Sequence, residues 1–316
     1  MLTSGHRLGY DRVYSALRPR HFSSLYRPRA HWRSQSRFSP RLRRRLKHAG
    51  CPFYGDGIPS GTGLPSVNTC QKFFRLAFRQ GAAEALYVMR TEETLRALDE
   101  LIRERSILQH AFYRAWQRGE LTRSQLATYS RVYYPHVAAF PNYLENAISC
   151  AEDSSTRRTL EDNLLDELTN PAPHPELWLD FATAIGQDRN KVKRATPLAK
   201  VASTTSAFDR LTSQGIASGL SALYAYESQQ PEVAAEKLRG LRESYGMQRQ
   251  SALNYFTVHA TADLEHRAGE RSALARCLNS HTSSDTVMNA ANEALDAYWN
   301  LLDGVCEEAH LSADLC

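Results

Sequence analysis

The sequence is short of several things, and each absence narrows its class. Its six cysteines, at positions 51, 70, 150, 277, 306 and 316, form no CxxC pair. That argues against a disulfide scaffold and against a thiolate zinc site, and it fits a reducing cytoplasm. No uninterrupted apolar run approaches the roughly 20 residues that a membrane-spanning helix needs, so no membrane partner is expected. No alternating apolar–polar stretch of strand length stands out, and no repeat of solenoid period is visible. Hydrophobic residues at 42% and charged residues at 23% are ordinary for a globular protein.

Acidic residues are scarce at one end only. Residues 1–88 contain 16 lysines and arginines against three acids, a balance of +13, which leaves −8 for the rest of a chain whose net charge is +5. This segment is rich in Arg, Ser, Pro and His, carries the basic run from Arg41 to Lys47, and has no sustained helical or strand period. It reads as a disordered extension. A nucleic-acid arm is one reading, but no binding module accompanies it and no nucleic-acid partner is expected. A transit peptide is another, since the segment is rich in Arg and Ser and poor in acids. A secretory signal does not fit, because no apolar core follows the arginines. The favoured expectation is a start placed too far upstream, with the folded chain opening at Met89.

From Thr91 onward the pattern is helix after helix, and the fold class expected is all-α, one multi-helix domain over residues 89–316. Leu95, Leu98, Leu101 and Ile102 form a first apolar stripe, with Thr91 and Thr94 as candidate caps. Thr122 can cap a long helix through Ala151, bent near Pro141. A helix over Ser154–Leu168 points Leu160, Leu164 and Leu165 inward. His174 and Pro175 open the next helix, with proline in the favoured first turn. Further helices are expected at about 205–228, 232–243, 248–268, 270–280 and 284–310, with Gly246 and Gly269 at breaks.

The most informative residues are His259, Asp263 and His266, spaced i, i+4, i+7. At about 100° per residue they fall within a helical arc of roughly 60°. Two imidazoles and a carboxylate on one face make half of a metal site. Glu265 points about 100° away from His266 and is not expected to bind. A plausible other half exists in Glu167, separated from His174 by six residues, and in the isolated Glu227. Three histidines and three carboxylates suit two iron or manganese ions, which accept mixed nitrogen and oxygen donors. The Glu-x-x-His pairs of ferritin-like di-iron proteins are absent.

The combination Glu167 … His174-Pro175-Glu176-Leu177-Trp178, then Tyr226-Glu227, then His259 … Asp263 … His266, resembles the heme-oxygenase-like dimetal oxidases. Within them it is most similar to the branch of the chlamydial protein associating with death domains, whose members make para-aminobenzoate for folate at their own expense. Thiaminase-like and pyrroloquinoline-quinone biosynthesis proteins share the wider superfamily. The resemblance spans roughly residues 92–310. It implies a heme-oxygenase-like helical bundle with Glu167, His174, Glu227, His259, Asp263 and His266 as ligands to two ions, iron with iron or manganese with iron. It implies dioxygen as co-substrate and an external electron donor. It also implies that Tyr113 supplies an aromatic ring, that Lys237 supplies the amino group, and that Tyr226 and Tyr255 lie near the metals. A homodimer is compatible with it.

Taken alone, these residues permit blander roles. Tyr113 can be a core aromatic beside Phe112 and Trp116, and Lys237, between Glu232 and Glu236 and the rest of a polar helix, can simply be exposed. Competing functions are a dimetal oxygenase for a free amino acid or fatty acid, a thiaminase-like hydrolase, and a non-catalytic interaction module. The hydrolase ranks low, because Cys150, Cys277, Cys306 and Cys316 have no evident catalytic context.

Overall fold

The computed structural model describes residues 88–279 and 282–311. The basic segment, and with it the expectations about disorder and the start, falls outside the described residues save for its last position, Val88. A first helix, α1, covers residues 88–104. A 3-10 turn at Ile107–Gln109 leads to α2 (Ala111–Gln117), α3 (Arg123–Val132), α4 (Tyr134–Cys150), α5 (Ser154–Thr169), α6 (His174–Ala184) and α7 (Arg189–Lys193). Then follow α8 (Ala199–Ser213), α9 (Ile216–Glu227), α10 (Gln230–Glu243), α11 (Gln250–His259), α12 (Ala262–Asn279) and α13 (Ser284–Glu308). Among the described residues there is no strand, and no helix is long and apolar enough to cross a membrane.

The centre of the bundle is α9, buried at every residue after Ile216. A helix apolar on all sides needs neighbours on all sides, and α4, α8, α12 and α13 pack around it. Glu227 is the last residue of this otherwise apolar helix. A second layer pairs α11 with α6 and α10.

Several boundaries differ from the sequence expectation. Thr94 lies inside α1, donating to the Arg90 carbonyl rather than capping. The long helix after Thr122 is two. Thr122 does cap α3, in a reciprocal capping box with Gln125. The chain then breaks at Tyr133, because Pro135 lacks the amide needed to continue, while Pro141 lies inside α4. The stretch 205–228 breaks at Gly215, whose φ of 133° only glycine adopts readily. Gly246, at φ 64°, ends α10 as expected. Gly269 is not a break. It lies within α12, where a Cβ would stand 2.7 Å from Thr159 Cγ2, so it serves the close approach of α12 to α5. Leu165 is 59% exposed rather than inward, while Leu160 is buried.

Candidate metal centre

All six predicted ligands are buried, and they come together in two groups, Glu167–His174–His259 and Glu227–Asp263–His266. In each group the donor atoms lie within 4.8 Å of one another. The centre is a level where helices begin and end. Glu167 is in the last turn of α5 and His174 opens α6. Glu227 closes α9, His259 closes α11, and Asp263 sits in the first turn of α12. The helix dipole favours a carboxylate at Asp263 but not at Glu167 and Glu227, which sit at C-terminal ends.

The in-phase spacing of His259, Asp263 and His266 is therefore met with a correction. The helix is interrupted at Ala260 and Thr261, so the three do not form one stripe. His259 joins Glu167 and His174, and only Asp263 and His266 share a group. Glu265 is exposed and takes no part, as expected.

Each imidazole is held by the nitrogen that faces away from its group. His174 Nε2 is 3.0 Å from the Asn170 carbonyl, His259 Nδ1 is 2.6 Å from the Tyr255 carbonyl, and His266 Nε2 is 3.1 Å from Asp166 Oδ2. With those nitrogens donating, the other three face inward, where each can give its lone pair to an ion once any proton on it is displaced, the usual outer support of metal-binding histidine. Asn163 Nδ2 donates to both oxygens of Glu227 at 3.0 Å, orienting that carboxylate. Asn163 and Asp166 carry no periodic signal in a polar helix, and the sequence reading passed over them.

The electrostatics favour cations. Burial pushes the Glu167 carboxyl up, but His174 and His259 outweigh it and hold the group at about 2. Burial lowers His259, yet Asp263 and Glu167 raise it to about 9. His266 is lowered by burial and raised further by Asp263 and Glu227, to about 11. Several buried atoms at the centre lack any hydrogen-bond partner, among them His174 Nδ1 and Asp263 Oδ2. His174 Nδ1 lies 2.9 Å from Glu167 Oε1, yet the pair is not aligned as a hydrogen bond. Inward-facing atoms left without a partner are what bound ions would satisfy, and mixed His and carboxylate sets fit two transition-metal ions.

The four other predicted residues are also buried. The Tyr255 ring lies 4.1 Å from that of His259, centroid to centroid. Tyr226 precedes Glu227, and its hydroxyl is 3.1 Å from that of Tyr133. Lys237, predicted on a solvent-like helix, is only 2% exposed. Its Nζ sits among five rings, 5.3 Å from the centroid of Tyr113 and 5.4 to 5.8 Å from those of Tyr129, Tyr133, Trp178 and Phe256. No carboxylate among the described residues pairs with it, and burial lowers its pKa to about 7. Tyr113 is wholly buried and its hydroxyl has no partner. Burial pushes the phenols of Tyr113, Tyr226 and Tyr255 well above the ordinary tyrosine range, so they stay protonated. Ring contacts join the two regions: Trp178 stands 4.8 Å from Tyr255, centroid to centroid, and Lys237 lies over Trp178.

Residues 127–299 match the family described as iron-containing redox enzymes. The chain is 39% identical over 213 residues to a 4-aminobenzoate synthase of Chlamydia muridarum, covering 67% of this chain and 89% of that one. It is 35% identical over 229 residues to a 4-aminobenzoate synthase of Nitrosomonas europaea, covering 69% and 93%. A crystal structure from Nostoc punctiforme, of a CADD-like protein of unknown function, superposes with a TM-score of 0.57 at 17% identity, over 70% of this chain and 99% of that one. That likeness speaks for the fold alone. The chain belongs to the heme-oxygenase-like family of iron-containing redox enzymes and is itself an enzyme of the oxidase–oxygenase class.

Proposed function

We propose that this enzyme forms 4-aminobenzoate from its own substance, with Tyr113 as the source of the ring and Lys237 as the donor of nitrogen. The observation that carries the reading is the buried amine of Lys237 over the ring of Tyr113, at 5.3 Å and with no counter-ion among the described residues. An amine with a pKa of about 7 is substantially unprotonated at neutral pH, so its lone pair is available to form a bond. The relatives named 4-aminobenzoate synthase support the same product.

Glu167, His174 and His259 would hold one ion, and Glu227, Asp263 and His266 a second, iron with iron or manganese with iron. With dioxygen and an external electron donor, such a centre supplies the oxidising power. The protein's own part is positional. Tyr255 against His259, and Tyr226 beside Glu227, put oxidisable phenols at the metals. The aromatic cage keeps water from the lysine, and Trp178 spans the space between Tyr255 and Lys237.

The test is intact-protein mass with aromatic-amine detection, after adding iron or manganese, reductant and oxygen. The expected result is released 4-aminobenzoate and a protein lighter by a tyrosine side chain and by the nitrogen of one lysine, with the two changes mapped to Tyr113 and Lys237. Tyr113→Phe should bind metal as before and lose no mass. Oxygen uptake at constant mass would instead indicate an external substrate, such as a free amino acid or fatty acid. Constant mass with no metal bound would leave an interaction module.

A further inference from the structure

Glu270 lies on α12 one turn beyond His266 and two turns beyond Asp263, so the three share a helical face. It is fully buried, and neither of its carboxyl oxygens meets a hydrogen-bond donor. Its carboxyl comes within hydrogen-bonding reach of that of Glu227, and the charged groups acting on it are Glu227 and Asp263. No lysine or arginine pairs with it among the described residues. The neighbouring Asp263 Oδ2 is likewise unmet. Among the described residues Asn163 donates to Glu227, but none donates to Glu270. A carboxyl taken out of water with neither donor nor cation is among the least favourable arrangements a protein interior can hold. It becomes favourable if a cation lies among these oxygens.

We propose that Glu270 is a metal ligand, a fourth donor to the ion held by Glu227, Asp263 and His266. The inference rests on the two-metal reading above. It makes the two positions chemically unequal. One would offer a single carboxylate and two imidazoles, Glu167 with His174 and His259. The other would offer three carboxylates and one imidazole, an oxygen-rich set suited to a hard divalent cation.

The test uses the full chain, stripped of metal and dialysed against manganese(II) alone, with metal per chain measured by plasma mass spectrometry and affinity by competition with a chelator. Wild type should take two ions. Glu270→Gln should keep one and bind the other at least tenfold more weakly. Metal-free Glu270→Gln should melt no lower than wild type, since the amide fills the same space as the carboxyl and can donate a hydrogen bond to Glu227; this separates ligand loss from misfolding. Two ions bound by Glu270→Gln at wild-type affinity would overturn the proposal and leave the two-metal reading intact. Wild type failing to bind two ions would overturn both. A manganese-soaked crystal of the wild type gives a check that needs no variant. A Glu270 oxygen within bonding distance of an ion supports the proposal, and a carboxyl turned away from both ions defeats it.

Discussion

A lysine buried to 2% exposure among five aromatic rings is costly to fold. Burial lowers its pKa from 10.5 to about 7. The unfolded chain therefore holds a proton on this side chain, between pH 7 and 10.5, that the folded chain does not. Stability contributed by Lys237 rises with pH across that window, and its penalty is full below about pH 7. Lys237→Met keeps the length and removes the charge. The variant is expected to be more stable than wild type by several kcal/mol, to order of magnitude, near and below neutral pH. The difference should close towards pH 10.5. Thermal melts of the metal-free proteins at pH 6 and 10 would measure it. The same variant should release no 4-aminobenzoate, so that the stabilised protein is the inactive one.

At the scale of helices, the distance between Tyr113 and Lys237 is set by a glycine. Gly240 lies one turn after Lys237 on α10, and a Cβ there would stand 2.4 Å from Nε1 of the fully buried Trp116, one turn after Tyr113 on α2. Alanine at 240 gains about 1 kcal/mol of helix propensity but forces overpacking that typically costs about 1–3 kcal/mol. Gly240→Ala is expected to destabilise modestly on balance in urea denaturation. It should also lower the yield of product per chain far more than it lowers metal content, because it parts the two helices that hold ring and amine. The sequence made the existence of nearly every long helix legible, since apolar periodicity and caps such as Thr122 report burial directly. It was less informative where one residue type has two uses. Gly269 reads as a stop but is a contact point, and taking it for a stop cut the face of Asp263 and His266 one turn short of Glu270. Spacing identified His259, Asp263 and His266 as a set. It did not reveal the interruption at residues 260–261 that turns His259 towards Glu167 and His174, because nothing local marks that break as glycine marks Gly215.

For the molecule as a whole, the centre is a store of protons waiting to be exchanged. His259 at about 9 and His266 at about 11 are protonated at neutral pH in the metal-free chain. An ion can bind either imidazole only by displacing its proton. Apparent metal affinity should therefore rise with pH between about 6.5 and 9, by up to about tenfold per unit for each proton released. Competition titrations at pH 6.5 and 8, with proton release followed in weak buffer, would check it. An affinity flat in pH would mean that the carboxylates do not hold these imidazoles charged.

Tyr113 has no exposed surface and packs edge-on against Phe112. On the self-consuming reading, this gives the protein a lifetime. Removal of a buried aromatic side chain typically costs about 3–5 kcal/mol, a large share of the roughly 5–15 kcal/mol that keeps a domain folded. A chain that has reacted should melt well below one that has not, and calorimetry on the two mass-separated forms would show it. Such a chain is a reagent rather than a reusable tool. One molecule of product leaves behind one hollowed protein, open to quality-control proteases, so supply of the product would be governed by the rate of protein synthesis.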